Sequence, residues 1–281
     1  MHHIGIVVDS TADLPQDYYE SRGILMVPLR VSFGSESYRD WIDINPETFY
    51  QKLRSSPQLP KTSQPSAAEF EAAYREVASR SEHIISIHLS SKLSGTVNSA
   101  QAAKASLPHI PISIVDTGLA SVGTGMVAEA VYQVVKSGSS AEDAVTVAER
   151  VSQSITILFA VDTLEYLQKG GRIGKAQALL ASVLNIKPVL TLKDGEVHPY
   201  KKVRGTKRVY QEVVEALKEL ESGRILHLGL AHASNPDAVE IIKDLVEKSG
   251  VEYQDILVSE IGPVIGTYTG PGAFALVFYQ E

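Results

Sequence analysis

The sequence predicts an α/β protein, with an N-terminal, mostly parallel α/β domain followed by an α+β domain whose sheet is largely antiparallel. Short apolar runs alternate with helix-like stretches as far as residue 161, which is typical of parallel strands joined by crossover helices. Beyond residue 163 the alternation stops, and a hairpin signal is followed by scattered strand-like runs. A chain of 281 residues has room for two domains, which we predict at 1–160 and 161–281.

The elements of the first half follow from apolar runs and helix-start signals. Pro15 suits the first turn of a helix, and Asn45 followed by Pro46 gives the same signal with a capping residue in front. The segment 55–66 is rich in proline, serine and threonine, and we predict a loop there. The predicted strands are 4–10, 24–33, 83–89, 112–116 and 156–161. The predicted helices are 15–21, 46–54, 67–79, 94–107, 122–135 and 141–153.

The second half begins with a glycine-rich loop at 170–174. Lys193, Asp194 and Gly195 separate two strand-like runs and predict a hairpin turn. The predicted strands are 187–192, 196–203, 225–231, 255–261 and 273–279, and the predicted helices are 206–220 and 236–248. No proline- or serine-rich linker separates the halves, so we expect them to pack closely.

Composition excludes several classes of function. Lysine and arginine number 26 against 33 aspartates and glutamates, and this net charge of −7 argues against general binding of nucleic acid or anionic membrane. The absence of cysteine excludes disulfides, thiolate metal sites and a cysteine nucleophile. No run of 18 apolar residues predicts a membrane span, and the N-terminal residues lack the basic region of a signal peptide. We therefore expect a cytoplasmic protein without stable membrane insertion.

Metal and nucleotide motifs are incomplete. The eight histidines form no H-E-x-x-H motif, and His227 and His232 are five residues apart in a predicted strand, where they point to opposite faces. The stretch 170–175 resembles a phosphate-binding loop, but its glycine spacing is one residue short and Ala176 stands where serine or threonine should bind magnesium. We therefore predict neither a metal site nor a nucleotide cofactor.

Three polar, uncharged clusters remain as candidate binding loops, at 62–66, 90–96 and 266–272. The second follows a predicted strand and opens a helix, where open α/β sheets bind ligands and where free amides suit an anion. Ser94 lies there as a candidate nucleophile, although no histidine and acid can be named to activate it, and a helix-capping role is the alternative. A carboxylate or a phosphate could bind, and nearby apolar strands could take a hydrophobic tail.

Several ordered blocks of sequence resemble the DegV family over nearly the whole chain. The matching blocks are 6–15, 61–65, 90–96, 164–167, 169–174, 185–188, 203–204 and 270–273. The resemblance implies a protein that holds one long-chain fatty acid between two α/β domains, without a catalytic residue or a cofactor of its own. Some members are the fatty-acid-binding subunit of bacterial fatty acid kinase and present the bound carboxylate to a separate ATP-using subunit, which makes an acyl phosphate.

The resemblance also implies the residues of the head-group site. Thr62 of the T-S-Q-P block and Ser94 of the L-S-G-T block are expected beside the carboxylate, with Arg172 of the G-G-R-I block as a secondary member. Many family members carry a histidine before the C-terminal T-G-x-G block, and this chain has Tyr268 there. A tyrosine hydroxyl is normally neutral, with a pKa near 10, but it can donate a hydrogen bond to a carboxylate.

Three hypotheses of function follow. The first is a fatty-acid-binding protein, a carrier subunit for a kinase. The second is a hydrolase or transferase that acts on an acyl or phosphorylated small molecule with Ser94 as nucleophile. The third is a DNA-binding regulator, which the negative net charge disfavours.

Overall fold

The computed structural model describes residues 4–180, 186–220 and 223–281. Its strands are β1 (Ile4–Asp9), β2 (Leu25–Val27), β3 (Arg30–Phe33), β4 (Glu36–Arg39), β5 (Lys61–Ser63), β6 (His83–His88), β7 (Ile112–Asp116), β8 (Thr156–Ala160), β9 (Ile186–Lys193), β10 (Glu196–Arg204), β11 (Leu226–His232), β12 (Asp255–Glu260) and β13 (Phe274–Gln280). Its α-helices are α1 (Gln16–Arg22), α2 (Pro46–Ser55), α3 (Ala67–Ala78), α4 (Thr96–Ala105), α5 (Val122–Lys136), α6 (Ala141–Ser154), α7 (Glu165–Lys169), α8 (Thr206–Glu215), α9 (Pro236–Ser249) and α10 (Pro263–Thr269).

The first half is built on a parallel sheet of four strands in the order β2-β1-β6-β7. Every residue of β1 is buried, as expected for a strand covered on both faces. Helices begin where their caps predict: the Asn45 side chain accepts the backbone N–H of Thr48 at 2.9 Å, ahead of Pro46. The predicted parallel α/β class of this half is confirmed.

The second sheet has six strands in the order β10-β9-β8-β13-β11-β12, and only β11 and β12 are parallel. Asp194 and Gly195 both have positive φ, at 52° and 79°, so the predicted hairpin turn forms between β9 and β10. The largely antiparallel second sheet is confirmed. Of the block at 185–188, Asn185 lies outside the described residues.

Strand β8 belongs to this second sheet, so its predicted place at the end of the parallel series was wrong. It pairs antiparallel with β13 and β9. A short apolar strand looks the same in either sheet, and its partner β13 lies at the far end of the chain. The division at 160/161 stays a prediction, and sheet membership favours a boundary before Thr156.

A small sheet in the order β4-β3-β5 corrects two further predictions. The single strand predicted at 24–33 is two strands in different sheets, divided at Pro28, which lacks the N–H that a continuous ladder needs. The loop predicted at 55–66 contains β5, which pairs with β3. A three-residue edge strand is too short for its composition to predict it.

Helices α5 and α6 lie between the parallel and the six-stranded sheets. A Cβ added at Gly229 of β11 would lie 2.6 Å from Met126 Sδ of α5, so helix and strand are in close contact. One hydrophobic cluster includes Val8 of the first sheet and Val277 of the second. The two halves therefore pack directly on each other. Among the described residues, no helix combines the length and the apolar character needed to cross a bilayer.

Candidate functional site

A cavity lies between the two halves, with about 1000 Å³ of empty space when its open mouth is included. Its wall is mainly apolar and includes Leu29 and Leu89 from the first half and Ile157, Phe159 and Ala275 from the second. All four residues predicted for the head-group site line this cavity: Thr62, Ser94, Arg172 and Tyr268. The structure therefore brings together four residues that are far apart in sequence, and their roles in binding stay predictions.

Thr62 and Tyr268 are directly hydrogen-bonded. Thr62 Oγ1 lies on edge strand β5, 2.5 Å from the hydroxyl of Tyr268 in the last turn of α10. The Tyr268 ring packs on Gly170, where a Cβ would overlap it. Two hydrogen-bonded hydroxyl groups therefore come from residues of the cavity wall.

Helix α10 replaces the tight loop predicted at 266–272. Gly266 lies inside the helix, where a Cβ would be 2.6 Å from the Tyr50 hydroxyl oxygen, so this glycine allows close helix packing rather than a turn. Of the three glycines in the segment 266–272, only Gly270 and Gly272 have the positive φ expected of turn glycines. A glycine-rich heptapeptide gives weak helix propensity, and packing of α10 against α2 outweighs that preference.

Ser94 precedes α4 and is half-buried. Its hydroxyl lies 2.9 Å from Thr96 Oγ1 and accepts the backbone N–H of Thr96 at 3.3 Å. These bonds are local to the loop, but the N-cap residue of α4 is Gly95 and no described side chain caps this helix, so the capping role predicted for Ser94 was wrong. Among the described residues, Ser94 has no hydrogen bond to a histidine or a carboxylate that could act as its base, so the geometry does not support the nucleophile hypothesis.

Arg172 forms hydrogen bonds to two loops at the mouth of the cavity. Its guanidinium donates to the carbonyl oxygens of Leu93 at 3.2 Å and Gly170 at 2.9 Å, and it lies 5.0 Å from the centre of the Tyr268 ring. The exposed guanidinium thus links the loop before Ser94 to the glycine-rich loop and stacks on a candidate head-group residue.

The sequence did not single out Gln64 and Ser121, which also line the cavity. The Gln64 side chain packs on Gly95, where a Cβ would overlap its amide. Ser121 begins α5 with φ 54° and ψ −144°, a conformation that non-glycine residues rarely adopt. Gln64 lies within a quoted polar cluster and could have been found, whereas nothing local in sequence marks Ser121.

A buried chain of hydrogen bonds in the parallel sheet resembles a catalytic relay but lies outside the cavity wall. Tyr74, Ser86, His88 and Asp9 are linked at 2.9, 2.7 and 3.1 Å, and all four side chains are fully buried. A substrate has no access to them, so we interpret them as a satisfied polar network within the core. Among the described residues, no three acidic or histidine side chains gather in a way that could hold a metal ion.

Comparison with known proteins identifies close relatives. A family model described as "Uncharacterised protein, DegV family COG1307" matches residues 3–281. Protein DegV of Bacillus subtilis is 36% identical over 278 residues, covering 98% of each chain. A solved DegV family protein from Thermus thermophilus, described by its fatty acid binding, is 40% identical with a TM-score of 0.95 over 100% of both chains. The solved DegV of Bacillus subtilis, described as a fatty acid binding protein, is 33% identical with a TM-score of 0.91 over 100% of both chains.

Proposed function

The chain belongs to the DegV family, and we propose that it binds one long-chain fatty acid in the cavity between its halves. The observation that carries this proposal is that the hydrogen-bonded hydroxyl groups of Thr62 and Tyr268, together with Ser94, line one otherwise mainly apolar cavity. The carboxylate accepts hydrogen bonds from these hydroxyl groups, with Arg172 at the mouth, and the acyl chain lies along Ile157 and Phe159 of β8.

The energetics favour such a ligand. Burial of each methylene contributes about 0.8 kcal/mol, so a long acyl chain supplies most of the affinity. The head group then needs orientation and satisfied hydrogen bonds. Neutral hydroxyls provide both without the desolvation cost of a buried ion pair.

Extraction and mass spectrometry of the purified protein test the ligand, with a co-purifying long-chain fatty acid as the expected result. In titrations with hexadecanoate, Thr62→Ala and Ser94→Ala should each weaken binding about tenfold or more, because each removes a hydrogen bond to a charged group, which contributes about 1.5–3 kcal/mol. Ser91→Ala is the matched control, since Ser91 is exposed in the same loop and outside the cavity wall. Absence of a lipid together with no measurable binding would exclude the proposal.

The finer proposal is that the protein presents the carboxylate to a separate ATP-using kinase subunit in the cytoplasm. A carboxylate oxygen attacks the γ-phosphorus of ATP, ADP leaves, and an acyl phosphate forms. The basic groove beside the mouth, with Lys92, Arg172 and Lys175, supports a role for this face in meeting phosphate groups.

Purified protein with ATP, magnesium and hexadecanoate should therefore make no acyl phosphate. Addition of the ATP-using subunit of a bacterial fatty acid kinase should yield the product. Formation of acyl phosphate by the chain alone, or none with the subunit present, would contradict the partnership.

A further inference from the structure

Two fully buried carboxyl groups meet the beginning of α10. Asp13 Oδ1 accepts the backbone N–H of Gly262 at 3.0 Å, and Asp40 Oδ1 accepts that of Val264 at 3.3 Å. A Cβ at Gly262 would overlap the Trp41 indole and lie 2.7 Å from Asp13 Oδ1, so the approach requires glycine. Because α10 carries Tyr268, these carboxyl groups hold the helix that forms one wall of the cavity.

Asp13 also contacts a second part of the cavity wall, at the start of α5. Its other carboxyl oxygen accepts the hydroxyl of Ser121 at 2.6 Å, and Ser121 lines the cavity in its strained conformation. Strain of this kind persists only where surrounding contacts fix it. The carboxyl group of Asp13 therefore joins the start of α5 to the start of α10, and both helices contribute residues to the cavity wall.

The surroundings of Asp13 are acidic and apolar. Burial, as the largest cause, raises the pKa of Asp13 to about 7, and burial raises the pKa of Asp40 well above its usual range. Asp13 therefore gains or loses its proton near neutral pH. The titratable groups of the cluster, taken from all the elements packed around it, are Asp9, Tyr19, Asp40, Tyr50 and Glu260.

We propose that Asp13, acting through Ser121, positions this part of the cavity wall and couples fatty-acid binding to the uptake of a proton. An acyl chain beside Ser121 excludes water from that part of the cavity wall. Loss of this water disfavours the ionised form of Asp13. By linkage, a ligand that favours the protonated form binds more tightly when that form is populated. Affinity therefore falls as the pH rises through 7. The inference rests on the proposed function.

Titrations with hexadecanoate between pH 6 and pH 8.5 test the coupling. We expect the wild-type affinity to fall about tenfold over this range, the effect of a one-unit pKa shift on binding. Asp13→Asn should bind with a nearly constant affinity, because the amide does not titrate. Its amide oxygen can still accept the Gly262 N–H, its amide nitrogen can donate to Ser121, and asparagine tolerates the φ of 53° found here.

Two further variants make the outcome decisive. Asp17→Asn, at an exposed position on α1, should keep the wild-type pH dependence, and the titration of the ligand itself is common to all variants. Ser121→Ala removes a hydrogen bond to ionised Asp13, so the fall in affinity should move to higher pH.

The outcomes separate this inference from the proposed function. If neither the wild type nor any variant binds hexadecanoate at pH 6, the proposed function itself is wrong. If wild type and Asp13→Asn bind with the same pH dependence, proton coupling at Asp13 is wrong. If Ser121→Ala leaves the midpoint unchanged, the route through Ser121 is wrong even if Asp13 titrates.

Discussion

The hydroxyl of Tyr268 belongs to the proposed head-group site and is hydrogen-bonded to Thr62. Tyr268→Phe keeps the ring on Gly170 and below Arg172 but removes the hydrogen bond to Thr62. Loss of a hydrogen bond to a carboxylate costs about 1.5–3 kcal/mol, so we expect hexadecanoate affinity to fall about tenfold or more.

The matched control for this variant is Tyr253→Phe, at an exposed tyrosine outside the cavity wall. Equal dissociation constants for wild type and Tyr268→Phe would leave Tyr268 with a packing role only. If binding weakens as expected, Tyr268→His tests whether an imidazole restores binding.

The titration of Asp13 also predicts a pH dependence of stability. Its pKa is about 7 in the folded protein against 3.8 for the free side chain, so the folded state holds the proton more tightly. This contribution to stability is complete below about pH 4 and is lost as the pH rises towards 7. Between pH 5 and pH 8, the wild type should lose about 2–3 kcal/mol more unfolding free energy than Asp13→Asn. Urea unfolding of ligand-free protein measures the difference, and parallel pH profiles would contradict it.

Single residues of the site differ in how far the sequence could predict them. Thr62, Ser94, Arg172 and Tyr268 lie in blocks of polar or glycine-rich sequence that resemble a known family, and the structure places them around one cavity. The contact of Asp13 with positions 121 and 262 joins three distant segments. Only tertiary structure sets such a contact, so no local pattern could have predicted it.

At the scale of elements, two reciprocal glycine–tyrosine contacts join α7 to α10. A Cβ at Gly170 would overlap the Tyr268 ring, and one at Gly270 would overlap the ring of Tyr166. Gly170→Ala should therefore displace Tyr268, lower the unfolding free energy by about 1–3 kcal/mol and weaken fatty-acid binding.

Gly171→Asn is the control for this contact, because a Cβ at Gly171 meets no atom within 4 Å and asparagine tolerates its φ of 72°. Urea unfolding and hexadecanoate titration measure both variants. A Gly170→Ala protein with wild-type stability and affinity would show that the ring of Tyr268 has room to move.

Elements with local signals were predicted well. Ser66 and Glu69 form a capping box at the start of α3, and the hairpin turn lies at Asp194 and Gly195 as predicted. The elements that the sequence did not predict include β5 and α10, whose short segments have little intrinsic preference of their own. Strand β5 forms because it pairs with β3, and α10 forms because it packs against α2. The composition of these segments does not indicate either partner.

At the scale of the whole molecule, the sequence predicts two kinds of sheet but not the sheet to which β8 belongs. The pairing of β8 with β13 joins positions near 158 and 276. An alternating or apolar pattern predicts a strand, but it does not predict which other strand pairs with it. This pairing shapes the cavity, because Ile157 and Phe159 of β8 bring the second sheet to its wall.

Because both halves form that wall, the ligand should stabilise them together. Fatty acid at 100 times its dissociation constant should raise the unfolding free energy by about 2.7 kcal/mol, since it binds only the folded state. Hydrogen exchange should then slow both in the loop 90–96 of the first half and in α10 of the second, because Ser94 and Tyr268 both line the cavity.

The distribution of this protection distinguishes a ligand held between the halves from one held by a single half. Exposed amides on the outer side of α9 serve as the internal control, since α9 contributes nothing to the cavity wall and its exchange should change least. Slowed exchange confined to either 90–96 or α10 would place the ligand on one half alone. In Ser94→Ala the protection of 90–96 should weaken more than that of α10, because the variant removes the hydroxyl contributed by the first half while Tyr268 remains.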